Sequence, residues 1–223
     1  MMPILDDFIK GLKAIAHPTS GTGTSMDIKS AMLYYYKFAL IPFLLSIIVN
    51  FIAVGSNQIG VTPAQLINGL GFSGLFGYLS SFMINQYGLI YFQFWELITV
   101  INFIHLLIGV PLSILFSAAI YQALGKYVFK KFKSGYENTL TAVMYNELPV
   151  IAVTWLGSIS ILGPLSGVVA IVYSIYVLVV SLSLQQKVSK KFTLLIWFIP
   201  SFVGAIILAI AYPSAFATLL KGP

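Results

Sequence analysis

Apolar residues fill five stretches of this chain almost without interruption: Leu33 to Val54, Leu97 to Leu124, Leu140 to Leu156, Ile161 to Leu184 and Phe192 to Tyr212. A hydrocarbon core of about 30 Å needs about 20 mostly apolar residues as helix, and each stretch is near that length. The pattern predicts an all-α membrane protein, a five-helix transmembrane bundle. Ahead of the first stretch the period changes. Ile4, Leu5, Phe8, Leu12 and Ile15 recur at steps of three and four, with Asp6, Asp7, Lys10 and Lys13 on the other face. This is an amphipathic helix suited to the headgroup plane, to packing under the bundle or to docking on a partner. His17-Pro18 stops it, Thr19 to Ser25 reads as a linker, and Asp27 as the cap of the first membrane helix. The run Tyr34 to Tyr36 reads as an interfacial aromatic cluster.

The connection from Gly55 to Glu96 is long, uncharged until Glu96 and too apolar for a solvated loop. Pro63 suits a first helical turn, and Leu66, Ile67 and Leu70 follow at helical spacing. Gly71, Gly74 and Gly77 then form a smooth strip for close helix contact. The segment is expected to hold one or two short helices at the outer surface or dipping into the bundle. A sixth crossing is the competing arrangement.

Charge sets the orientation. Of the twelve lysines, all but Lys221 precede or open the first span or fall in the second and fourth connections. Lys126, Lys130, Lys131 and Lys133 follow the second span, and Lys187, Lys190 and Lys191 precede the fifth. The positive-inside rule then places the N-terminus in the cytoplasm and the C-terminus outside. A sixth crossing would put the Lys126 connection outside and destroy this asymmetry. Residues 1–32 become a cytoplasmic helix and linker, and 33–223 the membrane domain of a multi-pass protein of the cell membrane, or of an endomembrane in a eukaryote. The first span is expected to act as its own insertion signal, since no cleavable one precedes it.

The net charge of +6 sits in juxtamembrane loops, which points to anionic lipid headgroups and away from nucleic acid. Arginine is absent, so no bidentate guanidinium serves phosphate or carboxylate. Without cysteine there are no disulfides, thiolate metal sites or cysteine nucleophiles. The motifs of zinc hydrolases, of serine hydrolases and of phosphate loops are missing, so catalytic residues, metal ligands and cofactors are all predicted as none.

Ionisable groups inside a membrane are the default functional candidates, because each is expensive unless paired or hydrated. Glu96 lies at the outer end of the second span. His105 falls roughly 12 Å inward of the outer boundary and Glu147 roughly 12 Å outward of the inner one, at about 1.5 Å per residue. Similar depths allow a proton-relay or ion site, with Asn102 and Asn146 as hydrogen-bonding partners, or plain helix-to-helix glue. Gly163 and Gly167 form a small-xxx-small pair, as do Ser113 with Ser117 and Ala119 with Ala123. Pro111, Pro149 and Pro200 should kink their helices.

Ser134-Gly135-Tyr136-Glu137-Asn138, followed by Met144-Tyr145-Asn146-Glu147-Leu148-Pro149, resembles the Yip domain family in its divergent, prokaryote-like form. The Ala123-Leu124-Gly125-Lys126 junction and the five-span layout are similar too. The resemblance implies a multispanning membrane protein of the Rab-interacting type, acting by binding partners or shaping membranes. Together these features favour a non-enzymatic scaffold or accessory subunit that binds other membrane protein subunits. A proton or small-solute transporter using His105 and Glu147 is the alternative.

Overall fold

The computed structural model describes residues 3–21, 25–54, 58–61, 90–157, 159 and 162–211. Helix α1 covers Pro3–Ala16 and ends where His17-Pro18 interrupts it; Pro18–Gly21 then makes a single turn, α2. Helix α3, Ile28–Val54, begins at the residue after Asp27, whose Oδ1 accepts the Ser30 N–H at 2.8 Å. That is the N-cap expected of this aspartate, satisfying a donor that the first turn leaves open.

The outer connection departs from expectation. Its described ends are strands, β1 (Gln58–Val61) and β2 (Ile90–Gln93), paired antiparallel with Gln58 opposite Gln93 and Val61 opposite Ile90. The short helices expected from Pro63 onward lie outside the described residues; at the two described ends the Gly60 to Tyr91 pairing supplies the backbone partners. The helix-contact strip Gly71, Gly74 and Gly77 lies outside the described residues.

From Phe94 the chain is helical to Val128. Helix α4 (Phe94–Ile104) passes through a π turn (His105–Gly109) into α5 (Val110–Ala123), and a second π turn, Leu124–Val128, ends the run. Glu96 sits in the first turn of α4, where a carboxylate complements the helix dipole. Helix α6 (Tyr136–Val153) continues as one 3-10 turn to Leu156; α7 covers Leu162–Gln186 and α8 Lys190–Ala211. Ser189 caps α8 by accepting the Phe192 N–H at 3.3 Å.

Among the described residues, three helical segments are long and apolar enough to cross a membrane: Ile28–Ile52, Thr99–Val128 and Leu162–Gln186. Helix α6 occupies the centre, packed against α7, α5 and α3 with α1 beside it. Thr139 through Tyr145 are all buried. A helix walled by protein can carry polar side chains without facing hydrocarbon, which is why α6 is less apolar than its neighbours. Leu140, Met144, Leu148 and Ile151 meet Ile114, Phe38, Leu178 and Ile196 in one core. The outward faces are apolar: on α7, Val168, Val169 and Val172 are each more than 60% exposed. Such a surface suits lipid.

Lys130 and Lys187 both have φ of 54°, the left-handed region, where each ends a helix. An L side chain there loses about 1–2 kcal/mol, and glycine gives back roughly half through its freedom in the unfolded chain. Lys187→Gly is therefore expected to stabilise the fold by about 0.5–1 kcal/mol in detergent unfolding, and Lys190→Gly, inside α8, to destabilise it.

Candidate functional site

A buried polar network joins the lysine-bearing ends of α5, α6 and α7. Gln186 Nε2 donates to Thr139 Oγ1 at 2.8 Å, to Gly135 O at 3.2 Å and to Gln122 Oε1 at 3.3 Å. Thr139 Oγ1 donates in turn to Gln122 Oε1 at 2.5 Å, and Gln122 Nε2 to Ser134 O at 3.1 Å. Gln186 Oε1 accepts the Ser134 N–H at 3.0 Å, and Asn138 Nδ2 donates to Gln185 Oε1 at 2.9 Å. Gln186 and Thr139 are fully buried. In a low-dielectric interior a network in which each member finds a partner fixes one register, and a broken one is costly. None of Gln122, Thr139, Gln185 and Gln186 was a sequence candidate; two adjacent glutamines ending an apolar helix are the signal that could have raised them.

The loop from Phe129 to Gly135 is fastened beside the network. Phe132 lies over Gly125 so closely that a Cβ there would overlap its ring, and Gly125 O accepts the Lys131 and Phe132 N–H groups at 2.9 and 3.1 Å. Phe129 and Phe132 meet Phe192 edge to face at 5.5 and 6.1 Å, with Lys131 Nζ 4.8 Å above that ring. The lysines Lys126, Lys130, Lys133, Lys190 and Lys191 remain exposed around this end. Seven expected contact lysines thus share one end of the bundle, with Lys131 also engaged in a cation–π contact.

The first π turn explains the tyrosine run. The Val110 N–H goes to His105 O, so Leu106 O has lost its usual donor, and Pro111 has no N–H for Leu107 O. Tyr35 Oη donates to Leu106 O at 2.6 Å and Tyr36 Oη to Leu107 O at 3.0 Å. Tyr35 is fully buried. The carbonyls freed by the wide turn thus engage two hydroxyls of this run, Tyr35 inside the bundle and Tyr36 on its exposed face.

The expected intramembrane site is only partly assembled. Asn146 Nδ2 donates to Glu147 Oε1 at 3.0 Å, and Glu147 lies within electrostatic range of Tyr35 and Tyr121. His105 is exposed at the π turn, its ring against Gly109, and among the described residues no ion pair joins it to Glu147. Asn102 is half-buried on α4. Gly163 meets the Gly157 carbonyl, where a Cβ would stand 2.6 Å away, so it serves the turn before α7; Gly167 faces open space.

Helix α1 is held against the flank. Lys37 Nζ pairs with Asp7 Oδ2 at 2.9 Å, Phe8 meets Phe38 at 5.0 Å, and Tyr173 Oη donates to Ile15 O at 2.8 Å. Thr141 Oγ1 accepts the Met26 N–H at 2.9 Å, tying the entry to α3 onto α6. Asp27, at that entry, has its carboxyl held below the usual carboxylate range by the Ser30 hydrogen bonds. A folded-state pKa below the unfolded one gives stability that is present above the unfolded value and lost as pH falls through the folded value. Asp27→Asn should therefore keep the cap but flatten the acid limb of a detergent-unfolding pH profile, while Asp27→Ala should lower stability at neutral pH. Comparison of the chain with protein-family models, with curated proteins and with solved structures finds no match.

Proposed function

We propose that this chain is a non-enzymatic, multi-pass membrane protein that serves as a scaffold or accessory subunit of a larger membrane assembly. The observation that carries the reading is how the interior polar groups are used. Gln122, Thr139, Asn138, Gln185 and Gln186 bond to one another and to the 129–135 loop, holding helices in register. What is left for partners is apolar flank and a lysine-bearing end. In this reading α3, the helix from Phe94 to Val128, α6, α7 and α8 are five crossings. The N-terminus and the lysine-bearing end are cytoplasmic, and α1 packs along the flank of the bundle. Lys126, Lys130, Lys133, Lys190 and Lys191 meet anionic headgroups or an acidic partner. The residues that carry the Yip-type resemblance, Ser134 to Pro149, form the loop and the central helix.

Mild-detergent purification from native membranes should recover a partner at fixed stoichiometry. Recovery as a monomer alone, under conditions that keep the fold, contradicts the reading. Glu147, beside Asn146 at the bundle centre, favours a second reading as a transporter. There Glu147→Gln would abolish flux in vesicles and leave folding intact.

A further inference from the structure

Ser46 Oγ of α3 and Thr99 Oγ1 of α4 are shielded from solvent and find no hydrogen-bond partner among the described residues. Elsewhere Ser174, Ser183 and Ser201 return their hydroxyls to a carbonyl of their own helix, at 2.8, 2.8 and 2.9 Å. An unmet hydroxyl in an apolar interior is costly, so these two call for a ligand. They lie on facing helices. Helices α3 and α4 pack together and run antiparallel, with the β1–β2 ladder between their outer ends. The rings of Phe43 and Phe103 meet 5.4 Å apart across this interface. From that pair Ser46 lies about 4.5 Å farther out along α3 and Thr99 about 6 Å farther out along α4. Asn50 and Glu96 follow, each about 10.5 Å out. Phase agrees with depth. Asn50 is two turns beyond Phe43 and Glu96 two turns before Phe103, so each shares the face of its ring. Ser46 is three turns beyond Tyr35, whose hydroxyl crosses to Leu106 O at 2.6 Å. Ser46 and Asn50 are only 2% and 1% exposed. We propose that this outer seam binds one sodium ion, held by the oxygens of Ser46, Asn50, Thr99 and Glu96.

Three features select that ligand. The set offers two hydroxyls, an amide oxygen and a carboxylate, hard donors that suit a hard cation. Charge sets the valence. Glu96 is the one acidic residue between Asp27 and Glu137, so a single positive charge is balanced and a second would stay buried unpaired. The third feature is the helix ends. Helix α3 stops at Val54, one turn beyond Asn50, and the carbonyl end of a helix favours a cation. The opposed N-terminal end of α4 is met by Glu96 in its first turn. Ser181 Oγ is another buried hydroxyl without a partner among the described residues, but its helix, α7, carries no acidic residue, and no ion is expected there. The inference goes beyond the scaffold reading and does not rest on it.

The test is thermal unfolding in mild detergent, with sodium chloride titrated against choline chloride at constant ionic strength. With sodium at about ten times its Kd the midpoint should stand about 3–5 °C above its value in choline, and the rise should saturate. Glu96→Gln and Thr99→Val should each remove the rise. Ser201→Ala, on an exposed face of α8, should keep it. An ordered water would satisfy both hydroxyls with no dependence on sodium, so equal midpoints in sodium and choline overturn the proposal. A rise that persists undiminished in folded Glu96→Gln or Thr99→Val overturns it as well. Equilibrium dialysis against radioactive sodium gives an independent readout on the unaltered protein. One ion per chain should be retained, and folded Ser46→Ala should lose it; no saturable retention by the unaltered protein also contradicts the assignment.

Discussion

Gln186→Leu is expected to destabilise the bundle by about 2–3 kcal/mol, measured by reversible unfolding in mixed micelles. The substitution removes an amide whose Nε2 reaches three acceptors and whose Oε1 takes the Ser134 N–H at 3.0 Å. A single interhelical hydrogen bond in a membrane protein averages only about 0.6 kcal/mol, because the unfolded chain in lipid also finds partners. Here several bonds fail together, and leucine leaves the partly buried Ser134 N–H without its acceptor. Gln122→Leu breaks part of the same set. The double variant should fall short of the sum of the two by about 0.5–3 kcal/mol, as coupled sites do. A Gln186→Leu protein within about 0.5 kcal/mol of the parent would mean that the network does not hold the helices.

Gly11→Leu should detach α1 from the bundle. A Cβ at Gly11 overlaps the Phe38 ring, and Tyr34 Oη stands 3.3 Å away, so the larger side chain has no space. Phe38 is fully buried and already in contact with Phe8, which leaves it nowhere to turn. Overpacking of this kind costs about 1–3 kcal/mol, which raises the open population about 5- to 150-fold. The chain has no cysteine, so Ala14→Cys gives a clean reporter at a position only 3% exposed. Its thiol should be protected in the parent and should react faster by that factor in the Gly11→Leu background. An unchanged rate would show that α1 is not seated on Phe38.

Helices were legible because long apolar runs have few other solutions, and the Asp27 cap because its chemistry is local. What the pattern could not reveal depends on register. Gln122, Thr139 and Gln186 are far apart in sequence and meet only when three antiparallel helices are aligned at one end. His105 and Glu147 illustrate the converse. The rise per residue gives depth, but contact also needs matching phase, and the π turn at His105 rotates α4 relative to α5. Pro111 was visible as a source of a freed carbonyl; that Tyr36 would fill it required knowing that α3 lies alongside. In the outer connection, the strand pairing of Gln58–Val61 with Ile90–Gln93 joins segments nearly thirty residues apart, a register that the local pattern does not contain.

The function proposed depends on a five-crossing topology with the lysine-bearing end in the cytoplasm. Single cysteines at Ser25, Lys133, Ile159 and Ser189, tested with a membrane-impermeant maleimide on intact cells and on inverted vesicles, address it directly. Ser25→Cys, Lys133→Cys and Ser189→Cys should be labelled only in inverted vesicles, and Ile159→Cys only in intact cells. Labelling of Lys133→Cys and Ile159→Cys from the same side, or of Ser25→Cys from the side opposite Lys133→Cys, would contradict it.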